Sequence, residues 1–222
     1  MKRLLHSALN LLSALPFPGY CPICNRESIN GSGWMCDICW RDLPLAGKNL
    51  WRSETTLKGA CLAVFQYSDT ARQFVHQMKF YGREDIAARL GSETAGRFAD
   101  WMDISRYSAV TSVPLHPARI RERGYDQNLI LARAVAERLS LPLRTDFIRR
   151  VKHRPPQSRL SDEERRHNLK DAFAPQPNLN QPPQGTVLLV DDVIHTGATA
   201  LGCIEALERT GVQRVFVLAA CG

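Results

Sequence analysis

From about residue 57 to the C-terminus, short apolar runs alternate with stretches whose apolar residues recur at helical spacing. The apolar runs predict β-strands, and the amphipathic stretches predict helices. Because strands that alternate with helices are joined by right-handed crossovers, the pattern predicts a mainly parallel sheet flanked by helices. The predicted strands span residues 60–67, 107–114, 146–151, 186–190 and 215–222, and the predicted helices span residues 68–80, 84–102, 126–139 and 197–209.

The first 50 residues follow a different pattern. Apolar side chains in residues 1–19 fall on one face of a short helix, which either docks on its own domain or contacts a partner or a membrane surface. Residues 20–50 contain turn-forming glycines but little apolar periodicity, and so small a core needs a metal to hold it together. The sequence therefore predicts an amphipathic segment at 1–19, a metal-binding module at 20–50 and an α/β domain at 51–222.

The composition is that of a globular protein. Of 222 residues, 44% are hydrophobic and 23% are charged, which excludes a disordered or fibrous chain. Lys and Arg number 29 against 22 acidic residues, so the formal net charge of +7 favours anionic partners such as phosphates, nucleotides or nucleic acid. No apolar run approaches the roughly 18 residues of a transmembrane helix, so no transmembrane span is predicted.

Four of the seven cysteines form two CxxC pairs, "CPIC" at 21–24 and "CDIC" at 36–39. Each short loop aims two thiolates at one point, which suits a tetrahedral metal, and four thiolates leave no open coordination position. We therefore predict a structural zinc site, with a redox pair or an iron–sulfur cluster as the alternative. The remaining single cysteines lie in apolar stretches, which favours a reducing compartment and a cytoplasmic protein. The predicted zinc ligands are Cys21, Cys24, Cys36 and Cys39.

The stretch "VLLVDDVIHTGAT" at 187–199 carries the most specific chemical signal. Two adjacent acids follow an apolar strand at the edge where open α/β sheets bind ligands, and a Thr-Gly turn then begins a helix. Carboxylates accept hydrogen bonds from hydroxyl groups, and the N–H groups of a helix start bind phosphate. The pattern therefore predicts a site for a ribose 5-phosphate. A Walker loop and a GxGxxG motif are both absent.

This stretch resembles the PRPP-binding motif of type I phosphoribosyltransferases, in which four apolar residues, two acids and two further residues precede Thr-Gly-x-Thr. The resemblance extends over most of the chain to the ComF family of bacterial competence proteins and their GntX-type relatives. It rests on the N-terminal module with its four cysteines and on "HQMKFYGRED" (76–85), "SVPLHPARIRERGYDQN" (112–128) and "RVKHRPPQSRLSDEERRHNLKDAF" (150–173). Where family members commonly read Gly-Phe-Asn-Gln, this chain reads Gly-Tyr-Asp-Gln at 124–127.

The resemblance implies an α/β fold of the type I phosphoribosyltransferase kind, with a small N-terminal four-cysteine module like a zinc ribbon. It implies that Asp191 and Asp192 act as the catalytic acids that hold the ribose, that Mg²⁺ accompanies PRPP, and that basic loops stabilise pyrophosphate. For the arginines after residue 117, a solvated helix start is the alternative. The implied PRPP-binding residues are Val190, Asp191, Asp192, Thr196, Gly197, Ala198, Thr199, Lys79, Pro114, Leu115, Arg119, Arg123, Arg154, Gln157 and Arg166.

The implied activity is transfer of the phosphoribosyl group to a nitrogen acceptor, with a role in DNA uptake or the use of external DNA. Two alternatives stay open at this point. One is a PRPP sensor or regulator without turnover, and the other is an adaptor that contacts single-stranded DNA or proteins of the DNA-uptake machinery. Binding of single-stranded DNA is the weaker idea, because no aromatic residues are interleaved with the basic stretch at 149–170.

Overall fold

The computed structural model describes most of the α/β domain and part of the N-terminal region. The predictions for residues 1–18 and for the basic stretch at 153–170 lie outside the described residues. Among the residues described, no helix combines the length and the apolar character that crossing a membrane requires. The described residues are 19–21, 23–28, 35–47, 51–52, 60–152, 171–177, 179 and 185–222.

The chain divides into two compact units, Met1–Asp42 and Leu43–Gly222. The second unit begins before residue 51, where the sequence places the start of the α/β domain. The reason is that Leu45 and Ala46 pair with a strand of the large sheet. For example, the Ala46 N–H group donates a hydrogen bond to the Val64 carbonyl oxygen at 2.9 Å.

Among its described residues, the first unit contains two very short strands and one short helix. Strand β1 (Gly19–Tyr20) pairs antiparallel with β2 (Glu27–Ser28), and helix α1 spans Asp37–Arg41. The loop between the strands is tight, because the Cys21 N–H group donates to the Arg26 carbonyl oxygen at 2.8 Å. The first CxxC pair therefore begins in this loop, and the second lies at the start of α1.

The second unit is built on a five-stranded sheet. In chain order its strands are β3 (Trp51–Arg52), β4 (Ala60–Phe65), β5 (Tyr107–Ser112), β8 (Thr186–Val193) and β9 (Arg214–Cys221), while β6 (Ile148–Arg150) and β7 (Phe173–Pro175) form a separate antiparallel pair. The strand order is β3-β4-β9-β8-β5, and every neighbouring pair is parallel except β3 with β4. The prediction of a mainly parallel sheet is confirmed. The strand predicted at 146–151 also forms, but it pairs with β7 outside this sheet.

Helices cover both faces of the sheet. On one face, Val187 and Leu189 of β8 pack with Ile204 and Leu207 of the last helix, and the β6–β7 pair adds Phe173. On the other face, three aromatic rings contact one another at centroid distances of 5.3–5.6 Å. They belong to Phe98 in the second helix of this unit, Tyr107 in β5 and Phe216 in β9. The helices are α2 (Asp69–Phe80), α3 (Glu84–Trp101), α4 (Pro117–Arg123), α5 (Gln127–Leu139) and α6 (Ala198–Glu208).

Strand β8 continues past the apolar run that predicted it. The expected end was residue 190, but the strand extends to Val193, with Asp191 opposite Ala219 of β9. The parallel neighbour β9 supplies backbone partners to these residues, so the ladder does not stop where the apolar side chains stop. Asp191 and Asp192 therefore belong to the end of the strand and are not the first residues of a loop.

Candidate functional site

The two acids lie at the end of a central strand of the sheet and are both buried, with 7% of Asp191 and 4% of Asp192 exposed. Asp192 has a cationic partner, because Lys79 Nζ lies 2.8 Å from Asp192 Oδ1. Gln127 Nε2 donates to the other carboxylate oxygen at 3.2 Å. Lys79 lies in the last turn of α2 and Gln127 begins α5, so two helices position the groups that hold this carboxylate.

Asp191 has a different set of partners. Asn128 Nδ2 donates to Asp191 Oδ1 at 3.2 Å and to the Val113 carbonyl oxygen at 3.1 Å. The Asp192 N–H group donates to the same carboxylate oxygen at 2.9 Å. Burial, together with the neighbouring Asp192 carboxylate, raises the pKa of Asp191 to about 7, although Lys79 opposes the rise. Asp191 thus retains a proton more readily than a carboxyl group in water does.

The turn after β8 leads directly into α6. Gly197 is the N-cap of that helix and has a φ of 73°, in the left-handed region that favours glycine. The Ala198 N–H group donates to Thr196 Oγ1 at 3.4 Å, and Thr199 is half-buried in the first turn. The N–H groups at a helix start have no partner within the helix and attract anions. The predicted phosphate residues Thr196 to Thr199 therefore occupy the turn after the strand of the two acids and the start of α6.

The segment after β5 contributes the predicted pyrophosphate residues. Pro114 and Leu115 connect β5 to α4, whose N-cap His116 accepts the Ala118 N–H at Nδ1 at 3.1 Å. The Val113 N–H group donates to the Val190 carbonyl oxygen at 2.9 Å, which ties this segment to β8. The segment and the acid pair consequently lie at the same edge of the sheet.

The arginines of α4 differ in their surroundings. Arg119 Nη1 forms an ion pair with Glu122 at 2.7 Å, and Arg121 is exposed. Arg123 is half-buried, its guanidinium carbon lies 5.7 Å from the centre of the Phe80 ring, and burial lowers its pKa. The negative charge of Asp192 raises the pKa of Arg123 and so opposes the effect of burial. Arg123 is thus a half-buried cation whose charge interacts with that of Asp192.

Sequence reasoning did not select Gln127 and Asn128 as site residues, although they hold the two carboxylates. Both side chains are buried, at 1% and 3% exposure, directly after Asp126, whose carboxylate caps α5 by accepting the Leu129 N–H at 3.0 Å. Two adjacent amide side chains at the start of a predicted helix, here Gln127 and Asn128, indicate a buried polar site. The sequence does not show which side of that helix faces the sheet.

Three predicted PRPP residues, Arg154, Gln157 and Arg166, lie outside the described residues, so the structure does not place them. Arg150, in the described part of the basic stretch, has a pKa that is lowered chiefly by burial, while the charge of Asp191 opposes that shift. Its guanidinium carbon lies 5.5 Å from the centre of the Phe173 ring. Sequence reasoning counted Arg150 only as part of the basic stretch.

The four cysteines of the first unit form one cluster. Their sulfur atoms all lie within 4.8 Å of one another. The Cys21 and Cys39 sulfurs are 3.8 Å apart, and the Cys24 and Cys36 sulfurs are 3.5 Å apart. Two thiolate pairs at this spacing are suited to binding a metal ion such as zinc. The prediction that both CxxC pairs serve one site is confirmed by the positions of the sulfur atoms.

A family model for the phosphoribosyl transferase domain matches residues 127–221. Together with the parallel sheet and the acid pair at its edge, this match defines an α/β protein of the phosphoribosyltransferase type. Among solved structures, glutamine PRPP amidotransferase from B. subtilis is similar at a TM-score of 0.43 and 18% identity, over 68% of this chain and 30% of that chain.

Two curated relatives extend the comparison beyond this domain. DNA utilization protein YhgH of Salmonella typhimurium is 31% identical over 232 residues, covering 93% of this chain and 98% of that protein. Competence protein F of Haemophilus influenzae is 38% identical over 109 residues, and the match spans about half of each, 49% of this chain and 48% of that protein. The chain belongs to the ComF family, the family of these two relatives.

Proposed function

We propose that this protein binds PRPP at the carboxyl edge of β8. Asp191 and Asp192 accept hydrogen bonds from the ribose hydroxyls, and the turn from Thr196 to Thr199 binds the 5-phosphate at the start of α6. One observation carries the proposal: two buried carboxylates lie at the end of a central parallel strand, one short turn before a helix N-terminus with a left-handed glycine cap. This spacing matches a ligand with hydroxyls on one side and a phosphate on the other.

The basic residues near this edge support binding of the pyrophosphate group. Arg119 and Arg123 lie on α4, directly after Pro114 and Leu115, and guanidinium groups bind phosphate oxygens through paired hydrogen bonds. Mg²⁺ prefers carboxylate and phosphate oxygens, so the acid pair and PRPP are a compatible donor set, and the ion would neutralise charge on the pyrophosphate. Arg154, Gln157 and Arg166 complete the proposed PRPP-binding set.

The proposed reaction is transfer of the phosphoribosyl group to a nitrogen acceptor. The acceptor nitrogen bonds to C1 of the ribose and loses a proton, while the bond between C1 and the pyrophosphate oxygen breaks and its electron pair leaves with pyrophosphate. Positive charge develops at the ribose in the transition state, and the carboxylates of Asp191 and Asp192 are positioned to stabilise it.

We assign the cysteine cluster to zinc with a structural role. Tetrahedral coordination with Zn–S bonds of about 2.3 Å separates the sulfurs by about 3.8 Å. The distances within the two sulfur pairs, 3.5 and 3.8 Å, agree with that geometry. Four thiolates fill the coordination shell, so the metal would hold the first unit together and take no part in catalysis.

The names of the relatives support a cellular role. Both refer to competence or to the utilization of DNA, and we propose that this protein acts in the cytoplasm in the use of external DNA. Single-stranded DNA and proteins of the DNA-uptake machinery are the proposed partners besides PRPP. The net charge of +7 is compatible with an anionic partner.

Calorimetric titration of Mg-PRPP into zinc-loaded protein tests the ribose-phosphate site. We expect micromolar binding by the wild type and a loss of at least about 100-fold in the variant Asp191→Asn/Asp192→Asn, because hydrogen bonds from the ribose hydroxyls to charged carboxylates are lost. Asp146→Asn is the matched control, since Asp146 is a half-exposed acid paired with Arg144 outside the site.

Absence of binding in the wild type would contradict the proposal, and so would equal binding by wild type and double variant. If PRPP binds, turnover in the presence of nitrogen acceptors separates an enzyme from a sensor. Release of pyrophosphate that depends on the acceptor supports transfer, whereas binding without release supports a regulatory role.

A further inference from the structure

Asp126 lies at the junction between the segment that follows β5 and the first turn of α5. It is the N-cap of α5, and its Oδ1 atom accepts the Leu129 N–H at 3.0 Å. Burial raises the pKa of Asp126, and hydrogen bonds from the backbone N–H groups of Leu129, Asn128 and Leu115 oppose the rise. Leu115 is one of the predicted pyrophosphate residues. One half-buried carboxylate therefore joins the start of α5 to the proposed pyrophosphate site.

The helix start that Asp126 caps carries the two amides that hold the acid pair. Gln127 Nε2 donates to Asp192 Oδ2 and Asn128 Nδ2 donates to Asp191 Oδ1, both at 3.2 Å. Because both amide side chains are buried in a close-packed interior, neither can move far unless the helix start moves with it. The positions of these two donors thus depend on how the first turn of α5 is anchored.

Hydrogen bonds connect this turn to the rest of the site. Asn128 Nδ2 also donates to the Val113 carbonyl oxygen at 3.1 Å, and the Val113 N–H donates to the Val190 carbonyl oxygen at 2.9 Å. The contact between Asp126 and the Leu115 N–H extends this network to the segment before α4. A residue that anchors such a network acts on binding groups that it does not itself present to a ligand.

Asp126 also places a negative charge near a cation of the proposed pyrophosphate site. Burial lowers the pKa of Arg123, and the charge of Asp126 is one of those that oppose this shift. Within the described part of the chain, the buried Nη1 atom of Arg123 has no hydrogen-bond partner, so it is open to an anionic ligand. A carboxylate at position 126 repels the same pyrophosphate that Arg123 attracts.

We propose that Asp126 is a positioning residue that also sets the affinity of the site for pyrophosphate. Its carboxylate oxygens hold the start of α5 against the segment after β5, and its negative charge weakens the binding of pyrophosphate beside Arg123. The inference rests on the proposed function, which assigns the ribose and its phosphate to the acid pair and the turn at 196–199. The two effects of Asp126 are separable, because the first needs an acceptor oxygen and the second needs a charge.

Two substitutions at this position separate the effects. Asp126→Asn removes the charge but keeps an acceptor oxygen, since asparagine is as favourable an N-cap residue as aspartate. Asp126→Ala removes both the charge and the acceptor. Asp103→Ala is the matched control, because Asp103 caps the short helical turn Ile104–Arg106 by accepting the Ser105 N–H at 3.1 Å, outside the site.

Calorimetry of zinc-loaded protein with ribose 5-phosphate and with Mg-PRPP measures both effects, because the first ligand lacks the pyrophosphate group. Asp126→Ala should bind ribose 5-phosphate about 10-fold more weakly than the wild type, since hydrogen bonds to a charged group are lost. Asp126→Asn should bind ribose 5-phosphate like the wild type and Mg-PRPP about 3- to 10-fold more tightly, since a repelling charge is removed. Asp103→Ala should bind both ligands like the wild type.

The outcomes separate this inference from the proposed function. If neither ligand binds the wild type, the ribose-phosphate site itself fails. If both bind, unchanged ribose 5-phosphate affinity in Asp126→Ala, or unchanged Mg-PRPP affinity in Asp126→Asn, would overturn the role of Asp126. An equal loss of affinity in Asp103→Ala would show a general effect of removing a cap and would also overturn it. If circular dichroism shows that Asp126→Ala does not fold, the two affinities of Asp126→Asn decide.

Discussion

Asp191 and Asp192 are neighbours in sequence but have separate surroundings. Lys79 and Gln127 contact Asp192, while Asn128 contacts Asp191. The repulsion between two adjacent carboxylates is therefore offset in part by a different set of donors for each.

The Asp191 carboxyl group makes folding stability depend on pH. Its pKa is raised from 3.8 to about 7 in the folded protein by burial and by Asp192, so between these pH values the folded state binds more protons than the unfolded state. Stability from this group is complete below about pH 4 and is lost as the pH rises to about 7. The shift corresponds to an effect on the order of a few kcal/mol.

We therefore expect Asp191→Asn to be more stable than the wild type at pH 8 and to gain little at pH 4. Urea unfolding at pH 4, 5, 6, 7 and 8 measures the difference in the free energy of unfolding between the two proteins. Taking this difference removes the contributions of titrating groups that do not interact with Asp191. A difference that does not change with pH would contradict the expected titration of Asp191.

At the scale of the element, helix α1 carries two of the four clustered cysteines at its start. Cys36 is the N-cap residue of this helix and Cys39 lies in its first turn. Serine is a favourable N-cap residue, so Cys36→Ser removes one thiolate and preserves the start of the helix. This substitution isolates metal binding from helix formation.

The wild type should hold about one zinc ion per chain. The Cys36→Ser variant should lose most of this zinc, because only three thiolates remain. Zinc content measured by atomic absorption after purification, and protease sensitivity of the first unit, report the loss. Cys61→Ala is the control, since Cys61 is buried in the core of the sheet and outside the cluster. A Cys36→Ser protein with its full zinc content would contradict the assignment.

Most elements were predictable because their signals are local. Apolar runs located β4, β5, β8 and β9, and helical periodicity located α2, α3, α5 and α6. The end of β8 was misplaced because charged side chains interrupt the apolar pattern, although the backbone ladder with β9 continues. The pairing of β6 was not predictable, since its partner β7 is very short and distant in the sequence, with Arg150 opposite Phe173.

At the scale of the whole molecule, the fold class and the location of the acids followed from sequence, but the contacts around them did not. Lys79 and Asp192 are separated by 113 positions, and no periodicity in either segment indicates that they meet. The motif at 187–199 allowed a ligand class to be predicted because strand, acids and helix start are contiguous. The contacts of Lys79 and Gln127 with Asp192 became visible only when α2, α5 and β8 were placed together.

Net charge is also a property of the whole molecule, and it gives a prediction for DNA. A chain of +7 charge that contacts about four phosphates of single-stranded DNA should lose about 50-fold in affinity between 50 and 200 mM salt. Fluorescence anisotropy with a labelled oligonucleotide measures this slope. Arg159→Gln/Arg165→Gln should reduce the slope, since each phosphate contact contributes about 0.7 to it. Binding that is insensitive to salt would contradict an electrostatic contact.

The antiparallel pair of β6 and β7 has a consequence for how this protein tolerates change in length. Arg150 lies opposite Phe173, so two positions that are distant in the sequence are held side by side. The entropy of closing the chain between two such anchors grows only slowly with the number of residues between them. Insertions between β6 and β7 should therefore cost little folding stability as long as the two strands keep their register.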